Sequence, residues 1–294
     1  MSKTLVSVIM PTYNGASLIL KTLESVKRQT YTNWEIVVVN DCSIDNTIEI
    51  VEQFKQEVPN TVKLVNNKKN LGVSESRNIA VEKAKGVWLA LLDSDDLWLS
   101  NHLELMVNCL EKDNSLQVIY SGCTVFQNHV ENIIDQQRIE KKMLTNFNVS
   151  LFTHQIGINS STAFIKKSSW IKCGGMDKEF NFGEEKEMFI RLAKSGARFK
   201  FTGSHTVLYR KHLNAASNQT KKMVLGNLEL YLKHYDWDDI SLKIRKRKLA
   251  NAHLSYARIL RSHDKRVALK HSLEAFKVKK SIKNLLFCLL IFFS

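Results

Sequence analysis

The chain has 294 residues, 44% of them apolar, and a formal net charge of +14, which allows one large or two small globular domains. Its five cysteines are scattered without a Cys-x-x-Cys pair, which argues against a zinc site or a disulfide scaffold and favours a reducing compartment. The N-terminus enters a strand pattern directly and lacks the layout of a signal peptide, so we expect a cytoplasmic protein.

The N-terminal third alternates between short apolar runs and amphipathic segments. The runs are rich in β-branched residues, as is typical of buried strands, and the segments between them repeat apolar residues with helical spacing. Strands alternating with helices in units of about 30 residues predict a parallel sheet with right-handed crossovers. The predicted strands are 6–10, 34–39, 62–65 and 87–92, and the predicted helices between them are 16–29, 43–58 and 72–86.

Polar residues follow three of these strands: residues 11–13, Asp41, and the stretch 93–96, which carries three carboxylates in four positions. In a parallel sheet, ligands bind outside the carboxyl ends of the strands, so these groups are expected at one edge. Three adjacent acids beside a buried strand repel one another, and a bound Mg²⁺ or Mn²⁺ shared with a phosphate would offset that cost. The same acids could instead cap the next helix. We favour a site for a metal and a nucleotide diphosphate.

The middle of the chain is less regular. Residues 127–150 are polar and poorly patterned, which suggests a mobile loop region over the site that contributes to sugar selectivity. Residues 174 and 175 are both glycine and predict a turn. The other predicted elements are a helix over 99–112, strands over 116–126 and 160–165, a helix after Gly183-Glu184-Glu185, and short strands at 199–201 and 206–209.

Beyond residue 217 the pattern is helical, basic and finally apolar. Residues 210–283 contain 19 Lys and Arg against 6 Asp and Glu, or +13 of the total of +14. Such a region suits a nucleic acid or an anionic membrane surface, although it could also be a solvated face. The uninterrupted apolar run 285–293 has nine residues, whereas a spanning helix needs about 20. With the lysines before it, the segment 282–294 resembles an interfacial membrane anchor.

Five motifs stand out along the chain: residues 8–14, 35–41 with 43–47, 70–72 with 76–78, 92–96, and 183–185. Together they resemble the family 2 glycosyltransferases, which bind nucleotide sugars with a GT-A fold, and they occur in the family's order and spacing over roughly residues 4–215. The resemblance implies an α/β, Rossmann-like, mostly parallel sheet flanked by helices over 1–215, with a nucleotide-binding half (1–98) and an acceptor and catalytic half (99–215). A basic helical C-terminal region, 216–294, follows.

The resemblance also implies roles for residues that bind the nucleotide, typically uridine. Pro11, Thr12, Tyr13 and Asp41 should line the base pocket. Asp41 would accept a hydrogen bond from the base, and Tyr13 would stack on it. Arg77 should lie near the base or the diphosphate.

For the cofactor, the resemblance implies Mn²⁺ or Mg²⁺ at an Asp-x-Asp element. Asp93 would contact the ribose or the metal, and Asp95 would bind the metal directly. Asp96 could take either part. His212 matches a family position that can ligate the metal or contact the diphosphate.

The pair Glu184-Glu185 occupies the family's Gly-Glu-Asp motif, in which the final acid is the general base. Glu185 stands at that position and is one methylene longer than the usual aspartate, so either glutamate could be the base. Without the resemblance, both would be ordinary acids in the first turn of a helix.

Plainer roles remain open for other residues. Arg77 could pair only with Glu75 or Glu82 in its own predicted helix. Tyr13 could be a core aromatic. His212 could be a solvated surface histidine.

The function implied is an inverting transfer of a sugar from a nucleotide-diphospho-sugar, typically a UDP-sugar, to a hydroxyl of a glycan or lipid-linked acceptor. Bacterial O-antigen, capsule or exopolysaccharide synthesis is the expected setting. The expected location is the inner face of the cell membrane, held peripherally by the apolar segment.

Two other functions would also use parts of this sequence pattern. A metal-dependent nucleotidyltransferase would usually carry a Gly-rich basic loop after the first strand, and residues 11–15 lack one. A non-enzymatic nucleic-acid-binding protein would usually interleave basic and aromatic residues, and the C-terminal region does not. We therefore expect no nucleic-acid partner.

Overall fold

The computed structural model describes residues 4–180, 182–211 and 220–293. These residues form two compact units. The first contains 4–140, 157–178 and 184–211, and the second contains 141–156, 179–180, 182–183 and 220–293. The first unit is an α/β sheet structure and the second is helical, which confirms the predicted class. The expected division of the chain at residue 215 stays a prediction.

The N-terminal half of the first unit has the predicted alternation. Four parallel strands lie in the order β3-β2-β1-β4, and each is followed along the chain by a helix or a turn. Because all four run in the same direction, the residues after their carboxyl ends lie at one edge. The elements are β1 (Val6–Thr12), α1 (Ile19–Lys27), β2 (Trp34–Asn40), α2 (Thr47–Glu57), β3 (Val62–Asn66), α3 (Val73–Lys83) and β4 (Trp88–Leu91).

The remaining strands extend the same sheet in mixed directions, giving the order β3-β2-β1-β4-β8-β6-β9-β5, with β7 paired to β6. Strand β8 is antiparallel to both β4 and β6, whereas β6 and β9 are parallel. The added elements are β5 (Leu97–Trp98), α4 (His102–Lys112), β6 (Val118–Gln127), β7 (His129–Gln136), β8 (Ala163–Lys166), α7 (Lys167–Lys172), α8 (Glu184–Lys194) and β9 (Phe199–Lys211), with a 3₁₀ turn over Ser160–Thr162 before β8.

The predicted irregular region 127–150 is wrong for most of its length. Residues His129–Gln136 form β7, and residues Lys141–Thr145 and Phe147–Phe152 form two short helices, α5 and α6. Every residue of β7 is exposed, so the strand has no buried face and shows no apolar alternation in the sequence. Asn128 makes the turn into it with φ of 63°, a conformation that asparagine tolerates better than most residues.

The two short strands predicted at 199–201 and 206–209 are one strand, β9. Gly203, with φ of 84°, lies between the two predicted segments, and the pairing with β6 shifts register at Gly122 opposite this stretch. An irregularity of this kind bends a strand without ending it, which is why the pattern looked interrupted.

The core of the first unit lies on the buried strands β1, β2 and β4. All seven residues of β1 and of β2 are buried, so these strands read as continuous apolar runs. The rings of Trp88 in β4 and Phe164 in β8 stack with centroids 4.8 Å apart. This contact joins the parallel half of the sheet to the mixed half at the start of β4.

The second unit confirms the predicted helical C-terminal region. It contains α5 and α6 together with α9 (Thr220–Lys233), α10 (Leu242–Leu260), α11 (Lys265–Val278) and α12 (Ile282–Phe293). Its small cores include Leu254, Ala257, Ala275 and Ile291. Across the described ranges, no helix combines the length and apolar character that crossing a bilayer requires.

Candidate active site

Asp41 lies at the carboxyl end of β2 and is buried. Its carboxylate accepts hydrogen bonds from the Asn67 side chain and from the amides of Leu71 and Gly72, each at 2.8 Å. Gly72 has φ of 85°, which favours glycine, and it directly precedes α3. Asp41 therefore fixes the turn that leads into the helix carrying Arg77.

Tyr13 follows β1 on a loop and is 53% exposed, so it is not a core aromatic. Two residues that follow β2 hold this loop in place. The amides of Asn14 and Gly15 donate to the hydroxyls of Ser43 (2.8 Å) and Thr47 (2.9 Å). The ring is thus an accessible aromatic face on a fixed loop.

Pro11 and Thr12 end β1 and are buried. They pair in register with Val39 and Asn40 of β2. The Thr12 hydroxyl oxygen is buried and has no hydrogen-bond partner among the described residues. A buried unpaired hydroxyl is costly, so its presence at the strand edge is consistent with a ligand nearby.

Arg77 in α3 is the centre of the site. Its side chain is only 3% exposed, and it pairs with Asp93 at 2.5 Å and with Glu184 at 3.1 Å. The alternative of pairing only with Glu75 or Glu82 is wrong, because the helix turns this side chain towards the sheet. One buried guanidinium therefore links the acids after β4 to the first residue of α8.

The acids after β4 have different environments. Asp93 and Asp95 are partly exposed, whereas Asp96 is fully buried. Burial, followed by the charges of Asp95 and Asp93, raises the pKa of Asp96 well above its ordinary value. Its oxygens accept from the Ser161 hydroxyl at 2.6 Å and the Arg210 amide at 2.9 Å. Asp96 thus points into the protein, and only Asp93 and Asp95 reach the open edge.

The two glutamates at the start of α8 are also distinct. Glu184 is tied to Arg77, whereas burial and the neighbouring Glu184 carboxylate raise the pKa of Glu185 to about 7. A carboxylate with such a pKa is matched to proton transfer near neutral pH. The geometry therefore separates the pair into one ion-paired acid and one candidate base.

The chemistry of the exposed acids fits a hard divalent cation. Among the described residues, no three His, Cys, Asp or Glu side chains form a complete metal centre. Mg²⁺ commonly uses one or two carboxylates together with substrate phosphates, and Asp93 and Asp95 supply such a pair. Asp93 also pairs with Arg77, and Asp95, the later acid of the Asp-x-Asp element, is the first candidate ligand. His212 lies outside the described residues.

Sequence reasoning missed several residues that build the site. Asn78 binds the backbone of Met176 through both its amide oxygen (2.9 Å) and its amide nitrogen (2.8 Å), which fastens α3 to the glycine turn. Ser161 and Arg210 hold the acids after β4. All three contact partners 65 to 115 positions away along the chain. No local pattern therefore gives their structural roles, although Asn78 lies in one of the five motifs.

Comparison with known proteins gives a consistent result. The sequence model of glycosyl transferase family 2 matches residues 7–174. A relative from Escherichia coli, the UDP-Glc:alpha-D-GlcNAc-diphosphoundecaprenol beta-1,3-glucosyltransferase WfgD, is 36% identical over 156 residues. That match covers 52% of this chain and 60% of the relative, so the chain spans less than two thirds of the relative's length.

Two solved structures show the same fold. S. aureus TarS 1–349 in complex with UDP-GlcNAc has a TM-score of 0.66 at 17% identity, covering 97% of this chain and 79% of that one. The mannosyltransferase PcManGT from Pyrobaculum calidifontis, in complex with GDP-Man and Mn²⁺, has a TM-score of 0.66 at 20% identity, covering 97% and 78%. These likenesses confirm the predicted GT-A fold.

Proposed function

Because the chain belongs to the family 2 glycosyltransferases, whose sequence model matches more than half of it, we propose that it is an inverting, metal-dependent enzyme that uses a nucleotide-diphospho-sugar. The proposed acceptor is a hydroxyl of a glycan or a lipid-linked saccharide. The family match supports this function over a nucleotidyltransferase or a nucleic-acid-binding protein.

The observation that carries this proposal is the buried link from Asp93 through Arg77 to Glu184, with Glu185 beside it. A group-transfer enzyme needs a place for the departing diphosphate and a base for the incoming hydroxyl. Here one arginine, Arg77, pairs with Asp93 among the acids after β4 and with Glu184 at the start of α8. Glu185, next to Glu184, has the pKa of about 7 that a base requires.

In the proposed mechanism, Asp41 and Tyr13 hold the nucleotide base, and Glu185 removes the proton of the acceptor hydroxyl as it attacks the anomeric carbon. Attack from the face opposite the diphosphate inverts the configuration through an oxocarbenium-like transition state. Asp95, with Asp93, would hold the divalent cation. That cation would supply charge stabilisation for the departing diphosphate.

The names of similar proteins support the choice of donor and acceptor. The Escherichia coli relative is named for UDP-Glc and a diphosphoundecaprenol-linked acceptor, and TarS is bound to UDP-GlcNAc. We therefore propose a UDP-sugar, a lipid-linked or glycan acceptor, and a place in bacterial surface-polysaccharide synthesis. The PcManGT complex holds Mn²⁺, which supports Mn²⁺ or Mg²⁺ as cofactor.

Adding UDP and Mn²⁺ together should raise the melting temperature. Ligand at 100 times its Kd stabilises the folded state by about 2.7 kcal/mol, so a thermal-shift panel of UDP, GDP and CDP, each with Mn²⁺ or EDTA, measures the response. In Asp95→Asn the increment that depends on Mn²⁺ should disappear. If no nucleoside diphosphate with metal moves the transition, the proposed function is wrong.

We also propose a peripheral membrane location on the inner face, supported by the surface of α12. This helix buries Asn284, Cys288 and Ile291 in its own unit. Its opposite side exposes six large apolar residues at helical spacing, and the chain around it is basic and contains no acid after Glu274. Such a surface suits anionic lipid headgroups. The exposed residues are Ile282, Leu285, Leu286, Leu289, Leu290 and Phe292.

The double variant Leu286→Gln with Leu290→Gln should lower binding to anionic vesicles by at least about tenfold, because two half-exposed leucines would lose their burial in the bilayer. Co-sedimentation with phosphatidylglycerol vesicles measures this loss. Leu232→Gln in α9 is the matched control, since Leu232 is 52% exposed and Leu290 is 50% exposed. If deleting 282–294 leaves vesicle binding unchanged, α12 is not the anchor.

A further inference from the structure

The Ser161 hydroxyl lies under the turn formed by residues 93–96 and is fully buried. It accepts a hydrogen bond from the Asp93 amide at 3.1 Å and donates one to Asp96 Oδ2 at 2.6 Å. A serine hydroxyl has one hydrogen to donate and can accept at the same time. Ser161 therefore holds the turn at its first and last residues with a single oxygen atom.

Ser161 is itself held firmly. Its amide donates to the Asn159 side chain at 2.8 Å, and its carbonyl accepts from the Trp98 indole at 2.8 Å. The strand that follows it, β8, pairs with β4, the strand that precedes the acids. The hydroxyl thus has a fixed position relative to the turn.

The turn is held from a second side by Arg210 of β9. The Arg210 amide donates to Asp96 Oδ1 at 2.9 Å, and its Nε donates to the Asp95 carbonyl at 2.8 Å. The turn also closes on itself through the Asp96 amide and the Asp93 carbonyl, 3.1 Å apart. Both oxygens of Asp96 are thus used to fix the backbone from which Asp93 and Asp95 project.

We infer that Ser161 is a positioning residue for metal-dependent donor binding, because it sets how the turn presents Asp93 and Asp95. It reaches neither the open edge nor Glu185, so its effect passes through the turn. Without the hydroxyl, the buried Asp96 carboxylate loses a donor, the Asp93 amide loses its acceptor, and the turn relaxes. This inference rests on the proposed function, in that it concerns the same donor site.

The test compares Ser161→Ala with Ser160→Ala. Ser160 is the buried neighbour in the same 3₁₀ turn, and its side chain makes none of the contacts above. Calorimetric titration of UDP at a series of Mn²⁺ concentrations should show about a tenfold weaker Mn²⁺-dependent affinity for Ser161→Ala, the scale of one lost hydrogen bond to a charged group. Binding of UDP in EDTA, and kcat at saturating Mn²⁺, should change less than threefold. Ser160→Ala should match the wild type.

Two outcomes would overturn the inference: equal Mn²⁺ dependence in the two alanine variants, or a loss confined to kcat. If the alanine variant does not fold, Ser161→Cys decides the matter, because its sulfur atom fills the place of the hydroxyl oxygen while the thiol is only a weak hydrogen-bonding group. The same loss of Mn²⁺ dependence is expected for it. If the wild type itself binds no UDP with Mn²⁺, the proposed function fails, whereas normal wild-type binding with an unaffected Ser161→Ala removes this inference alone.

Discussion

Replacing Glu185 with glutamine is expected to lower the rate of sugar transfer by about 10²–10⁴-fold, the usual contribution of general base catalysis. Binding of UDP with Mn²⁺ should persist, because the proposed metal ligands are Asp93 and Asp95 and not Glu185. Steady-state transfer assays and UDP titrations measure the two effects separately. Glu184→Gln is the paired variant, and an unimpaired Glu185→Gln would move the base to Glu184.

The pKa of Glu185 also predicts the direction in which the transfer rate changes with pH. Burial and Glu184 raise the pKa of Glu185 to about 7, so the ionised, proton-accepting form grows as the pH rises through 7. The wild-type kcat should fall about tenfold for each unit below that pKa, and this acidic limb should vanish in Glu185→Gln. A limb that survives in the variant would belong to another group.

The same pKa links activity to stability. An acid whose pKa is raised in the folded state binds more protons there than in the unfolded chain between the two pKa values, so stability falls as the pH rises through that interval. Glu185 therefore destabilises the fold at pH values where it is ionised. Glu185→Gln removes that cost, which is a common trade between stability and activity.

Replacing Arg77 with alanine is expected to lower the free energy of unfolding by about 3–5 kcal/mol, the scale for breaking a buried ion pair. The variant leaves the Asp93 and Glu184 carboxylates without the guanidinium that lies between them. Arg77→Lys should restore only part of the loss, because an ammonium is a compact point charge and lacks the planar fork. Denaturant titration measures these changes.

Arg28→Ala is the control for Arg77→Ala. Arg28 pairs with Glu24 at 3.8 Å, and its side chain is 64% exposed. Exposed pairs contribute less than about 1 kcal/mol. If the Arg77 variant were no less stable than the Arg28 variant, the buried link between β4 and α8 would not support the site.

Sequence patterns predicted the parallel half of the sheet because β1, β2 and β4 are buried on both faces and read as apolar runs. The gathering of Asp41 and the acids 93–96 at one edge followed from topology alone. The exposed strand β7 gave no such signal, since its residues face solvent throughout. The buried strands could therefore be predicted from the sequence, whereas the exposed strand could not.

The pairing of Arg77 shows the limit of local reasoning. The candidates within the helix were Glu75 and Glu82, whereas the true partners are 16 and 107 positions away. Which acid an arginine meets depends on how α3 crosses the sheet, and that is set by packing of the whole unit. The roles assigned to Tyr13, Asp95 and Glu185 stay predictions, and the variants above test those of Asp95 and Glu185.

The long-range contacts around the acids have a consequence for biosynthesis. Arg77 meets Glu184, and Asp96 meets the Arg210 amide 114 positions further along the chain. A nascent chain contains β1 to β4, together with Arg77 and Asp93, before Glu184 and Arg210 have been synthesised. Asp93, Asp95 and Asp96 therefore reach their final arrangement only after α8 and β9 have been synthesised.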